Sequence, residues 1–360
     1  MDRTVGVEEE FLLFASGSTR LAPLGDVVAE EASGRSEGQF EHELKREQAE
    51  LGTKPYRDLG DLEVELRLRR RELADSAADR DARLAALATC PVEEAHSVTP
   101  EERYHRMTET FGRVSRLQLT CGQHVHVGIE SSEEGVAVID RIAPWLSVLV
   151  ALSANSPYLA GQDSDYASYR TVLWGQWPST GLGDPFGDVT TYDAATGALL
   201  SSGAAIDDGM LYLDARLSRR FPTVEVRVAD VTPYAEDAVT VAALCRAMVD
   251  AAAQDWRVGA PPPTHRGEAL RAARWRAARF GLSDRLYDVG RNELVPAWEL
   301  VGRLQEWVAA AASPEDRNRV ADGVERIRAR GSGADLQRAS FSTSGDLADV
   351  IADVVRQTAT

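Results

Sequence analysis

The chain has 360 residues, 44% of them hydrophobic and 27% charged, enough to bury a sizeable core in one large domain or two ordinary ones. Its formal net charge is −17, from 57 acidic against 40 basic residues, which argues against nucleic acid as a partner because phosphate binding draws on a Lys/Arg excess. Lys45 and Lys54 are the only lysines, and neither stands in a G-x-x-x-x-G-K-[ST] loop, so a P-loop is excluded.

An anionic substrate must therefore be held by arginine, metal ions or backbone amides. Three widely spaced cysteines, Cys90, Cys121 and Cys245, without a C-x-x-C, fit a reducing compartment better than a disulfide framework or a zinc site. The N-terminus runs directly into Glu8-Glu9-Glu10 without an apolar leader. The longest apolar stretch, around Ala143 to Ala154, reads as too short and interrupted to span a bilayer. The expectation is a cytoplasmic protein with no membrane partner.

In chain order, residues 3–14 read as a strand and 39–53 as a mixed acidic segment. From Tyr56 to about Ala88 the chain has helical periodicity, with the ladder Leu62, Leu66, Leu73, Leu84, Leu87. Thr99 before Pro100-Glu101-Glu102 predicts an N-cap with Pro at the first helical position and a helix to about Arg113. Residues 117–129 alternate as a strand, and Glu133 to about Ser153 forms an apolar helix. An aromatic, Gly- and Pro-rich stretch follows from Asn155 to Gly187, of the length that marks function rather than connection. A weak hairpin-like region then runs to Asp214. After a strand over 221–231, the remainder predicts helices over 236–256, 266–280, 294–311, 315–330 and 346–358. Strands mixed irregularly with helices favour an α+β fold. A single domain over 1–360, helical from about residue 260, is expected.

Side chains alternate along a strand, so each strand divides into two faces. In the first, Val5, Val7, Glu9, Phe11 and Leu13 oppose Thr4, Gly6, Glu8 and Glu10, before Leu12 and Phe14 turn apolar. In the second, Leu119, Cys121, Gln123, Val125 and Val127 oppose Gly122, His124, His126 and Gly128. In the third, Val224, Val226 and Val228 oppose Thr223, Glu225, Arg227 and Ala229. Such polar faces can simply meet water. The spacing Glu-x-Glu, His-x-His and Glu-x-Arg, with Gly beside the histidines, points instead to a ligand that approaches closely. Glu8 and Glu10 would stand about 6–7 Å apart, from a rise of about 3.3 Å per residue. Their repulsion is then about 2–3 kcal/mol at an effective dielectric near 20. A divalent cation reverses that sign, and carboxylates with an imidazole suit Mg²⁺ or Mn²⁺ better than zinc.

The strings T-V-G-V-E-E-E-F, G-Q-H-V-H-V-G, Y-A-S-Y-R-T-V-L-W and T-V-E-V-R-V-A-D resemble the type 2 glutamate–cysteine ligases, the bacterial YbdK-type carboxylate–amine ligases related to the glutamine synthetase fold. The likeness extends in order through S-A-N-S-P-Y, W-P-S-T-G-L and R-G-S-G-A-D-L-Q-R. It implies a curved antiparallel sheet, helices on its other side, and two or three Mg²⁺ or Mn²⁺ ions under ATP on the concave face. An acyl phosphate would form from a substrate carboxylic acid, and an amine would displace the phosphate. By position, the resemblance makes Glu8, Glu10, His124 and Glu225 metal ligands. It sets His126 beside the nucleotide phosphates and Arg227 against the transferred phosphate. Glu43 and Glu50 would serve the metals and the acceptor amine; their odd separation demands a turn or bulge between them, unless Glu43, Glu47 and Glu50 share a solvated helix face. Arg170 would grip a substrate carboxylate, with Tyr169, Trp174 and Trp177 walling the pocket and Arg338 reaching the nucleotide.

The expected reaction joins L-glutamate to L-cysteine. Alternatives are the same chemistry on another acid and amine, a guanido-kinase-like phosphotransferase, and metal-dependent hydrolysis, because a shared sheet does not settle the reaction. A homodimer is left open.

Overall fold

The first strand, β1 (Val5–Ala15), is an inner strand of the main sheet and is largely buried on both faces. The computed structural model describes residues 3–35 and 38–360; the first two residues of the N-terminal run lie outside them. Helix α1 (Gly25–Arg35) leads to the hairpin of β2 (Gln39–His42) and β3 (Gln48–Gly52), followed by α2 (Leu59–Ala78) and β4 (Ala82–Ala85). Helices α3 (Glu102–Phe111) and α4 (Arg113–Leu117) precede β5 (Gly122–Gly128), and α5 (Ser132–Ile142) and α6 (Leu146–Ser153) follow it. The aromatic stretch holds a small hairpin, β6 (Tyr158–Leu159) with β7 (Gln162–Asp163), then α7 (Tyr169–Trp174). Next come α8 (Val189–Ser201), β8 (Ala215–Leu217), β9 (Thr223–Asp230), α9 (Ala235–Arg257) and α10 (Gly267–Phe280). A hairpin of β10 (Arg285–Asp288) and β11 (Glu293–Pro296) separates these from α11 (Ala297–Ala309), α12 (Pro314–Arg330), α13 (Gly333–Ser344) and α14 (Leu347–Thr358).

The main sheet runs β2-β3-β1-β5-β9-β8, with β4 beside the far end of β1, and every pairing is antiparallel. Helices α2, α5, α6 and α9 pack on this sheet. Helix α9 is buried on all sides from Asp237 through Ala253, as a helix between a sheet and an outer helical layer must be. One contiguous apolar core links Val5 of β1 to Val354 of α14. The α+β expectation holds.

On the core face, Glu9 interrupts the valines and is fully buried. Arg70 of α2 answers it, with Nε donating to Glu9 Oε2 at 2.8 Å and its other nitrogens donating to the carbonyls of Pro233 and Thr232. A charge this deep is tolerated because it is paired and its remaining donors are used.

Several boundaries differ from the expectation. The long helix ends at Ala78, and Leu84 lies on β4, after a turn in which Asp81 takes a positive φ of 54°. Thr99 is not an N-cap: its hydroxyl donates to the Glu43 carbonyl at 2.6 Å, and the helix starts at Glu102. Pro144 divides the apolar helix into α5 and α6 through a short 3₁₀ turn. As one stretch, Ser132–Ser153 is long and apolar enough to cross a membrane, contrary to the expectation, but it is packed inside the core. The hairpin-like region holds α8 instead, β10 and α13 lie where no element was expected, and β11 takes the first residues of the helix expected over 294–311, the rest of which is α11.

Candidate active site

Residues directly opposite in an antiparallel pair point to the same face. Glu10 pairs with Glu50, Glu8 with His124, His126 with Glu225, and Glu225 with Arg216. The polar faces read separately from three strands are thus one surface, crossing β3, β1, β5, β9 and β8. Glu43 joins it from the turn after β2, so the hairpin resolves the odd spacing to Glu50, and the helical alternative is excluded. Glu47 faces away and accepts from Ser97.

This surface does not meet bulk water as a flat face. It floors a cavity of about 1050 Å³, whose walls include Tyr104, Trp174, Trp177 and Tyr212, and whose rim carries Arg216, Arg219, Arg220 and Phe221. Its cations are arginines and histidines; Lys45 is buried elsewhere, its Nζ donating to the Arg116 carbonyl at 3.0 Å.

Three clusters on the floor can each hold a cation: Glu8, Glu50 and His124; Glu8, His126 and Glu225; and Glu10, Glu43 and Glu50. In each, one ligand atom per residue lies within 4.8 Å of the others. His124 Nδ1 is 3.3 Å from Glu8 Oε2, whereas its buried Nε2 has no hydrogen-bond partner. An unpartnered ring nitrogen among carboxylates is the mark of a missing electropositive neighbour. His126 Nε2 lies 3.3 Å from Glu8 Oε1, and its Nδ1 is fixed by Thr223 Oγ1 at 3.0 Å. The ring therefore stands at a cation position as well as on the cavity wall.

The electrostatics divide the floor. Burial opposes ionisation of Glu8, but the hydrogen bonds from His124 and His126 outweigh it and hold its carboxyl well below the usual range. Burial likewise opposes ionisation of Glu225, and Arg227 and Arg216 overcome it. At the other end, burial and the charge of Glu43 push Glu10 up to about 8, and the same two causes push Glu50 well up. Burial and the Arg227 charge lower His124 to about 4, so its ring is neutral and free to act as a ligand.

Arg227 pairs through Nη1 with Glu225, which also receives Arg216 Nε at 2.7 Å. The Arg227 Cζ lies 5.9 Å from the ring centres of both Trp174 and Tyr212. The pairing of β5 with β9 slips between Gln123 and Val125, and the extra residue of β9 brings Asp230 opposite Gly122. That bulge moves Asp230 onto the polar face, which strict alternation does not foresee.

Three expected site residues do not line the cavity. Arg170 is 1% exposed and lies behind Trp174, bonded to the backbone carbonyls of Arg227 and Val228. It is neither in reach of a ligand in the cavity nor a surface ion pair. Tyr169 packs edge-on against Tyr166 outside the cavity. Arg338, on α13, is bound bidentately by Asp163 at 2.8 and 2.7 Å. Each was carried over from the resemblance onto a segment without periodicity, which carries no information on direction. Trp174 and Trp177 do line the cavity. The wall residues Tyr104, Arg103, Tyr212 and Arg216 escaped sequence reasoning, because they come from a helix face, an irregular segment and the three-residue strand β8, none with a motif.

Residues 4–353 match the model of the family described as glutamate-cysteine ligase family 2. A Frankia alni protein named "Putative glutamate--cysteine ligase 2-2" is 46% identical, covering 99% of this chain and 97% of its own length. A Streptomyces coelicolor protein, "Putative glutamate--cysteine ligase 2", is 44% identical with 99% of both chains covered. Among solved structures, the glutamate–cysteine ligase of Francisella tularensis in complex with AMP shares the fold at a TM-score of 0.67 and 14% identity, covering 100% of this chain and 89% of that one. With the family model spanning nearly the whole sequence and the relatives matching end to end, the chain belongs to glutamate–cysteine ligase family 2 and is an enzyme that joins a carboxylate to an amine.

Proposed function

We propose that the enzyme uses ATP and Mg²⁺ or Mn²⁺ to join L-glutamate to L-cysteine through an acyl phosphate. The observation that carries this reading is the row of three carboxylate clusters, two of them with an imidazole, beside Arg227 on one cavity floor. The residues fit the metals: the donors are glutamate oxygens with one imidazole each at two of the clusters, and none of the three includes a thiolate. Glu8, Glu10, Glu43, Glu50, His124, His126 and Glu225 would hold the ions, which supply charge neutralisation for phosphoryl transfer.

The chain's own groups have defined parts. A substrate carboxylate oxygen attacks the terminal phosphorus of ATP, and the bond to ADP breaks. Arg227 meets the charge that develops on the transferred phosphoryl group, already oriented by Glu225 and its aromatic neighbours. Arg216, Arg219 and Arg220 at the rim, with His126, suit the nucleotide phosphates. The amine nitrogen then attacks the acyl carbon, inorganic phosphate leaves, and the amine proton passes to Glu50.

The test is ADP and phosphate release with ATP, Mg²⁺ and a panel of acids and amines, with products identified by mass. Amine-dependent release with γ-glutamylcysteine as product is expected, and EDTA stops it. A stable phosphorylated product formed without amine would replace the ligase reading by the phosphotransferase one.

A further inference from the structure

Arg170 is buried without lining the cavity, and its surroundings are unusually ordered. Its Nη2 donates to the Arg227 carbonyl at 3.3 Å and its Nη1 to the Val228 carbonyl at 3.4 Å. Nη1 also lies 4.0 Å from Asp230 Oδ1. Gly122 forms the other side of the guanidinium: a Cβ there would stand 2.1 Å from Arg170 Nη2. The same glycine donates its N–H to Glu10 Oε2 at 2.6 Å. One residue without a side chain thus touches both Glu10 and Arg170, and the charges of the two act on each other.

Asp230 is held in turn. Its Oδ2 accepts from the Asn155 N–H at 2.8 Å and from Ser156 Oγ at 2.7 Å, and its Oδ1 accepts from Ser168 Oγ at 2.8 Å. Ser156 Oγ also accepts from the Arg170 N–H at 3.0 Å. Asn155 is fixed from α13, where Gln337 Nε2 donates to its side-chain oxygen at 2.7 Å and to its carbonyl at 2.9 Å. Gly333 admits this contact, since a Cβ there would meet Asn155 Oδ1 at 2.2 Å. All of these polar side chains are almost completely buried. Arg170 Nε has no partner of its own, but the Asp230, Asn155, Ser156 and Ser168 side chains are all hydrogen-bonded, and a buried network tied at these four points favours one arrangement over others.

We infer that Arg170 is a positioning residue: anchored by Asp230, it sets the Arg227 backbone and the Glu10 carboxylate, and α13 fixes that arrangement from outside the cavity through Gln337 and Asn155. The inference rests on the proposed role of Glu10 at a cation. Groups that orient a ligand from behind act on metal affinity rather than on substrate contacts. The planar fork matters because it reaches two carbonyls and a carboxylate at once, which an ammonium does not.

The experiment measures Mn²⁺ binding by electron paramagnetic resonance, without turnover, on the full-length wild type, Arg170→Lys and Gln337→Met. Steady-state kinetics and melting temperatures are taken beside it. In Arg170→Lys the Mn²⁺ affinity is expected to fall about 10- to 100-fold, with kcat reduced and KM for both substrates unchanged. Gln337→Met shifts Mn²⁺ affinity in the same direction by less, and it decides the question alone if Arg170→Lys does not fold. A raised KM for the acid with intact Mn²⁺ binding would make Arg170 a substrate clamp and overturn the inference. A lowered melting temperature with Mn²⁺ affinity and kinetics intact would leave only scaffolding, and overturns it equally. A wild type that binds no Mn²⁺ removes the cation reading itself, and the inference with it.

Discussion

Arg227 serves three neighbours at once. Its Nη1 pairs with Glu225, and its flat guanidinium lies against Trp174 and Tyr212. Lysine can supply the charge but neither the fork nor the flat face. Turnover of Arg227→Lys should therefore fall about 100- to 1000-fold, the usual cost of one preorganised donor to a developing charge, and nearly as far as in Arg227→Ala. ATP turnover beside melting temperature checks this; wild-type turnover in the lysine variant would reduce Arg227 to a partner of Glu225. At this scale, Glu8, Glu10, His124, His126, Glu225 and Arg227 were legible because alternation along a strand is local and needs no knowledge of the fold. Glu43 and Glu50 needed the resemblance. Arg170 shows where residue type stops informing: a buried arginine implies a carboxylate, and the sequence does not say that the carboxylate is Asp230 rather than a substrate's.

Helix α2 is attached to the sheet by more than its leucines. Leu62, Leu66 and Leu73 lie on its buried stripe, and Arg70 on the same stripe reaches Glu9 in β1. Removing one member of such a pair leaves the other charged and buried. Arg70→Met should cost about 3–5 kcal/mol of stability, and Glu9→Leu combined with Arg70→Met should recover most of that loss. Denaturant unfolding of both single variants and the double variant measures it, and purely additive losses would show that the pair is not coupled. Elements with a strong period were legible: β1, β9 and α9 are close to their expected bounds, and β5 ends where expected but starts at Gly122, five residues late, because α4 runs through Leu117. Leu84 was misplaced because an apolar residue suits helix and strand alike, and only the turn at Asp79–Asp81 decides. Thr99 had the composition of a cap, but Glu43, distant in sequence, takes its hydroxyl.

Across the whole molecule, a net charge of −17 surrounds a floor where Glu8, Glu10, Glu43 and Glu50 converge. Folding must bring these carboxylates together, and a divalent ion relieves the cost. Mn²⁺ at one hundred times its dissociation constant should stabilise the fold by about 2.7 kcal/mol per independent site, read as a rise in melting temperature that EDTA reverses. Potassium chloride at equal ionic strength should not reproduce it, because screening acts weakly on buried charges. An equal rise with either salt would assign the effect to the surface charge instead. The α+β class was legible from the irregular order of strands and helices. The strand order was not, since β4 joins β1 and β8 closes the other edge through contacts distant in sequence.

Glu8 belongs to two of the three clusters, and Glu50 also to two. The floor is therefore a chain of shared members rather than three separate seats. A substitution at Glu8 opens both clusters that contain it, and a second substitution at His124 or His126 finds part of its effect already taken. Losses measured one residue at a time along this row do not sum, and ranking its members by single-variant activity would credit Glu8 with what its neighbours hold in common.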